Sequence, residues 1–319
     1  MNLFSKIVIA GFTIITISCD NENDTNASAK AISTAAITTA TPKKFLFDAT
    51  KAETAGNADW VLDADSSPQR FPTPAQSNVT ATTTENFWRG GLSAWGIALA
   101  KLGHTVETLP SGTSITYGGT GTQDLKNYDV FVVDEPNIKF TTAEKTAIVN
   151  FVKNGGGLFM ISNHSGADRN NDGFDSVQVW NDLMTTNSVK SNPFGFSINS
   201  ISFSETTTNR LSATTNPILN GSQGNVTQLK YSAGASITTN IAANSTVQGL
   251  IWRGTSSQGS SNVMCATSTY GTGRVVIIGD SSPADDGTGA SGDTLYPGWT
   301  ELASHSRLHI NASLWLAKL

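Results

Sequence analysis

From Lys43 onward the hydrophobic residues fall into two alternating rhythms. The runs KKFLFD, HTVETL, YDVFVVDEP and GLFMIS are short, apolar and bounded by polar residues or glycine. They read as strands, and the nearly continuous ones read as central strands of a parallel sheet. Between Glu85 and Leu102, the residues Phe87, Trp88, Leu92, Trp95, Leu99 and Leu102 recur at three- and four-residue spacing, which predicts a helix stopped by Gly103. TTAEKTAIVNFVKN predicts a second helix, capped by Thr141 or Thr142, with Glu144 completing a capping box from Thr141 and Gly155 ending it. A last helix, from about Ser306 to Lys318, turns Leu308, Ile310, Leu314 and Trp315 inward. The alternation predicts an α/β fold with a mainly parallel sheet and helices on both faces.

The segment from about 188 to 268 breaks that rhythm. It is dense in Thr, Ser, Asn and Gly, and its alternating pieces FGFSINSISFS, TQLKYSAGASITT and VQGLIWR read as antiparallel strands of a β-rich insertion or extension. ATSTYGTGRVVIIGD then places a Gly-Thr-Gly turn between two strand-like runs, predicting a hairpin that returns to the core.

The first residues carry a different signal. Lys6, the apolar run Ile7 to Ile17 and Ser18-Cys19 have the layout of a secretion signal, too short to span a bilayer. The small residue before Cys19 and the polar stretch after it resemble a bacterial lipoprotein signal over residues 1–18, with Thr16 departing from the usual leucine. The resemblance implies a lipidated Cys19 and a membrane-anchored protein at the cell surface or in the periplasm. Residues 19–42, rich in Thr, Ala, Ser and Asn without apolar periodicity, read as a flexible tether before a folded domain over 43–319. Cys265 is then the one remaining cysteine, so no intramolecular disulfide is expected, and its strand-like setting reads as a structural thiol.

Composition narrows the partners. The whole chain has 20 basic and 25 acidic side chains. Removing Lys6 with the signal leaves 19 − 25 = −6, which does not suit a nucleic-acid backbone. Charged residues make up only 14%, in keeping with a neutral extracellular surface.

The chemistry gathers at the strand ends, where ligands collect in open α/β sheets. Asn163 and His164 follow the strand GLFMIS, Asp134 and Glu135 close YDVFVVDEP, Asp48 closes KKFLFD, and Asp280 closes VVIIG. In DRNNDGFD, Asp168, Asn170 and Asp172 fall at positions one, three and five with Gly173 at six, the spacing of oxygen ligands around calcium, and Phe174 adds a carbonyl. Position twelve is Val179 instead of an acid, so a complete EF-hand is excluded and other segments must supply ligands. The alternative is a surface turn. Asp285, Asp286 and Asp293 crowd one glycine-rich loop after Asp280, where like charges call for a cation, a proton or water. Lys51, Glu53 and Asp59 add polar reach beside Asp48. Trp60 and Trp299 lie near these loops as candidate stacking faces, or as packing anchors like Trp180. His305 stands near the last helix, while His104 and His309 fit structural positions.

The stretches LKNYDVFVVDEP, FTTAEKTAIVNFVKNGGGLFMISNH and YGTGRVVIIGD resemble the glutamine amidotransferase-like superfamily, and within it the ThuA-like domain. The resemblance covers most of residues 43 to 319 in element order, leaves the β-rich segment aside and implies a flavodoxin-like sheet. It also matches His164 to a histidine that follows the glycine-rich strand in such domains. The catalytic cysteine of amidotransferases has no counterpart after GLFMIS, so glutamine amidotransfer is not expected.

Two classes of function follow. One is a surface hydrolase acting on a carbohydrate or other neutral substrate, with His164, Asp280 and Asp48 as catalytic groups and with Asn163, Glu135, Trp60 and Trp299 contacting substrate. In this reading Asp168, Asn170, Asp172, Phe174, Asp285 and Asp286 hold calcium or another divalent cation. The other is a non-catalytic lipoprotein that binds a glycan or small ligand, with calcium bracing the loop. No GxSxG elbow is present, so serine-hydrolase chemistry is not expected.

Overall fold

The computed structural model describes residues 41–65, 67–293 and 295–319. The lipoprotein signal, Cys19 and nearly all of the tether lie outside the described residues. In chain order the elements are β1 (Lys44–Asp48), α1 (Ser93–Lys101), β2 (Thr105–Leu109), β3 (Val130–Asp134), α2 (Thr142–Lys153), β4 (Gly157–Ile161) and α3 (Ser176–Thr186). There follow β5 (Phe196–Ile198), β6 (Phe203–Thr207), β7 (Asn220–Gly221), β8 (Gly224–Asn225), β9 (Leu229–Gly234), β10 (Ile237–Thr239), β11 (Gln248–Trp252), β12 (Val263–Tyr270), β13 (Gly273–Ile278), α4 (Gly298–Glu301) and α5 (Ala303–Leu316).

The main sheet runs β2-β1-β3-β4-β13-β12-β10-β5, with β11 paired to β12. Its first five strands are mutually parallel, and their order is that of a flavodoxin-like sheet, with the crossover direction reversing between β1 and β3. The remaining strands are antiparallel and come from the predicted β-rich segment and the hairpin β12–β13. At the far margin, the Asn181 side chain of α3 donates to the Ile198 carbonyl and accepts from the Ile198 N–H, standing in for a further strand.

Two apolar cores flank the sheet. Phe45, Phe47, Val132 and Phe159 pack against Trp95 and Leu99 of α1 and Leu308 and Ala312 of α5. Leu46, Phe131, Val133 and Met160 face the other way, onto Ile148 and Val152 of α2 and Val179 and Leu183 of α3. Alternation along each strand explains the division.

Helix boundaries follow local chemistry. The Thr141–Glu144 capping box forms as predicted, and an unforeseen one joins Asp175 to Gln178 at the start of α3. The first helix is shorter than its hydrophobic spacing predicts, because residues 85–87 form a single 3-10 turn and Gly90-Gly91 intervene before Ser93. A Cβ on Gly90 would lie 2.1 Å from the Val61 carbonyl oxygen, so this crossing requires glycine. The last helix begins at Ala303, three residues before the position expected from sequence.

Candidate functional site

Strand alternation divides the acidic residues at the carboxyl edge into groups on opposite faces. Phe47 belongs to the α1/α5 core, so Asp48 turns toward the α2/α3 side, where Lys51 bonds Glu144 at 2.8 Å. Val133 faces α2 and α3, so Asp134 turns the opposite way, and its carboxyl feels the charges of Glu135, Asp280 and Asp285. Asp48 and Asp280 share no hydrogen-bond partner among the described residues.

On the α2/α3 side, Asp48 and Glu53 make a buried carboxyl pair. Asp48 Oδ2 and Glu53 Oε1 have no N–H or O–H donor among the described residues, an arrangement that favours a proton shared by the pair. Burial raises Asp48 to about 6 against the opposing pull of Lys51, and burial together with the Asp48 charge pushes Glu53 well above its ordinary value.

Beyond the strand tips lies a largely buried polar network. Glu135 Oε1 accepts from Arg169 Nε at 2.7 Å, while Oε2 accepts from Asn163 Nδ2 at 2.7 Å and Ser281 Oγ at 2.8 Å. Glu135 adopts φ 45°, a left-handed conformation that costs a non-glycine residue about 1–2 kcal/mol. Neither oxygen of Asp134 has a partner among the described residues, and burial, reinforced by Glu135, Asp280 and Asp285, pushes its carboxyl well above the ordinary range. Asp280 is fully buried, accepts from the Ser232 and Ser282 N–H groups, and is raised by burial to about 6.

The structure brings Glu135, Asn163 and Asp280 close together and leaves the His164 ring outside their bonds. Half-buried, its Nδ1 lies 2.9 Å from the Ser165 carbonyl. Trp60 and Trp299 are 2% and 4% exposed, so neither offers a stacking face, and both are packing anchors. His305 is buried, accepts from the Lys230 N–H through Nε2 and lies 2.7 Å from the Gly298 carbonyl through Nδ1, which places its proton on Nδ1.

The DRNNDGFD loop closes on itself. Asp168 accepts from the N–H groups of Asp172 and Gly173, while Asp172 accepts from Phe174 N–H and the Asn170 amide. The Phe174 ring carries the Lys139 ammonium at 3.7 Å. Asp285 accepts from Gly287 and Tyr296 N–H groups, and Asp286 Oδ2 accepts from Ala94 N–H at 2.6 Å, capping α1 from a distant loop. Among the described residues no group of three or more His, Cys, Asp or Glu is arranged to hold a metal. Asp168, Asp285 and Asp286 are thus not gathered on one point.

An acid pair that sequence reasoning did not single out lines an accessible cleft. Asp59 follows β1 and Asp293 follows β13, and the Ala290 N–H reaches both carboxyls, at 3.1 Å and 3.0 Å. They line a cleft of about 340 Å³ with the hydroxyl residues Thr54, Ser67 and Ser111, the last just beyond β2. The Ala290 bond goes to Asp59 Oδ2, Oδ1 has no donor among the described residues, and burial, then the Asp293 charge, pushes Asp59 up to about 8. A Cβ at Gly289 would meet Asp59 Oδ2 at 2.4 Å, so a larger residue there would push the Asp59 carboxyl aside. The sequence held one signal for this pair, the excess of acids in the loop after Asp280.

No family model matches the chain, and no curated protein does. Among solved structures it is similar to the mmIFT52 N-terminal domain, with 13% identity, 86% of this chain and 97% of that chain covered, and a TM-score of 0.50. It is also similar to a cytoplasmic protein from Salmonella typhimurium, at 12% identity, 86% and 98% coverage and TM-score 0.49. A ThuA-like protein from Bacteroides uniformis matches at 11% identity, 86% and 91% coverage and TM-score 0.42. These likenesses concern the fold alone.

Proposed function

We propose that the chain is an exported, lipid-anchored hydrolase acting on a neutral, hydroxyl-rich substrate of the carbohydrate class, with the Asp59–Asp293 cleft as its active site. The observation that carries this reading is the placement of two carboxyls on one N–H donor inside a cleft beyond the ends of β1 and β2. With Asp59 raised to about 8, the pair retains a proton at neutral pH. Uncharged hydroxyls of Thr54, Ser67 and Ser111 suit a neutral ligand.

The Ala290 N–H lies within 3.1 Å of both carboxyls, an arrangement that fits water activated between two carboxyls. In that step the Asp293 carboxylate takes a proton from water as the water oxygen attacks the electrophilic carbon, and Asp59 gives its proton to the departing oxygen. The carbon–oxygen bond breaks, water is added across it, and the proton on Asp293 returns to Asp59 between turnovers.

A panel of neutral oligosaccharides and their acylated derivatives, assayed between pH 5 and 8, tests the assignment. Turnover by the mature chain should fall by about 10²-fold or more in Asp59→Asn and Asp293→Asn. Binding without turnover in the parent and both variants would replace catalysis with a ligand-binding role.

A further inference from the structure

The β-rich extension contains a second, larger concavity, of about 620 Å³, lined by β5, β10, β11 and neighbouring loops, Leu211 after β6 among them. This lies in the usual range for small-ligand sites, about 300–1,000 Å³. Of its fourteen lining residues none carries a charge. The Trp252 indole, 4% exposed, backs the concavity and is fixed by its Nε1–H bond to the Gly259 carbonyl at 2.8 Å. Leu211 and Val247 add apolar surface, while Gln248, Ser197 and Ser260 present side chains that are not bonded to other described residues.

One wall is built to project an apolar side chain. Ile241 is 71% exposed at the apex of a loop whose Asn240 Oδ1 accepts from the N–H groups of Ala242 and Ala243. Asn244 clamps the base of that loop to the Pro193 and Thr269 carbonyls, each at 2.9 Å. A large aliphatic residue is therefore held in solvent beside the free Gln248 amide and the free Ser197 and Ser260 hydroxyls.

We infer that this groove is a binding site for a neutral oligosaccharide, separate from the acid cleft. Amides and hydroxyls on the rim match sugar hydroxyls, and the apolar strip matches the C–H faces of the rings. An anionic or cationic ligand finds no counter-charge in the lining. The inference takes its substrate class from the function proposed above.

Calorimetric titration of the mature chain with short neutral gluco-, manno-, xylo- and N-acetylglucosamine oligosaccharides, alongside polygalacturonate fragments as an acidic control, tests it. Gln248→Glu and Ile241→Glu place charge on exposed positions, and thermal melting confirms that the fold is kept. Binding of a neutral oligosaccharide that weakens about tenfold or more in these variants, and persists in Asp59→Asn, supports the groove. Binding left intact by both groove variants, binding of none of the neutral ligands, or preference for the acidic control overturns it. Turnover that survives in Asp59→Asn removes the cleft reading while leaving the groove standing.

Discussion

Arg169 Nε lies 2.7 Å from Oε1 of Glu135, closing a buried glutamate whose other oxygen is bonded by Asn163 and Ser281. The Arg169 side chain is 17% exposed and that of Glu135 is 0%, so this ion pair lies behind the protein surface. Removing one partner from such a pair leaves an uncompensated charge, at a cost of about 3–5 kcal/mol. Arg169→Met should therefore destabilise strongly in denaturant unfolding. Adding Glu135→Gln to Arg169→Met should restore part of the loss, and additive effects in that double-mutant cycle would rule out direct coupling.

Stability should depend on pH through Asp59. Its folded-state value of about 8 lies above the ordinary 3.8, so its contribution is fully present below about pH 4 and is lost as pH rises toward 8. Asp48, Asp280 and Asp285, raised by burial to about 6, 6 and 7, act in the same direction over narrower windows. The mature chain should melt at progressively lower temperature from pH 4 to 8. Asp59→Asn should remove up to about 1.4 kcal/mol per pH unit of that slope, and an unchanged slope would contradict the assignment.

Asp286 offers a test of the trans cap. Asp286→Ala removes the acceptor for Ala94 N–H and for the Thr288 N–H and hydroxyl, and should cost about 1–2 kcal/mol in chemical unfolding. Asp286→Asn keeps an acceptor oxygen and should cost less. Equal losses would point to charge instead of hydrogen bonding.

The lipid anchor is tested by labelling cells with a fatty-acid analogue. The full chain should incorporate the label and partition with membranes, and Cys19→Ala should do neither. Label retained in that variant would move the modification elsewhere.

The parallel half of the sheet was legible because its strands are buried on both faces and read as continuous apolar runs, such as YDVFVVDEP and GLFMIS. The Thr141 cap was legible because both of its partners lie within four residues. Long-range relationships were not. Whether Asp48 shares a face with Asp134 depends on strand register, and the Asp59–Asp293 pair joins positions more than two hundred residues apart. Asp286 looked like a cation ligand because its partner, Ala94, is a backbone amide that sequence reading does not reveal as unsatisfied. Trp60 and Trp299 looked like rim residues because loops rich in polar side chains can still fold inward over aromatic anchors.

The Asn181 amide that occupies both backbone groups of Ile198 gives the sheet a blunt margin. An incoming peptide would have to displace that side chain before it could add to β5 at Ile198. Growth of copies into an extended ribbon is thereby discouraged at that margin.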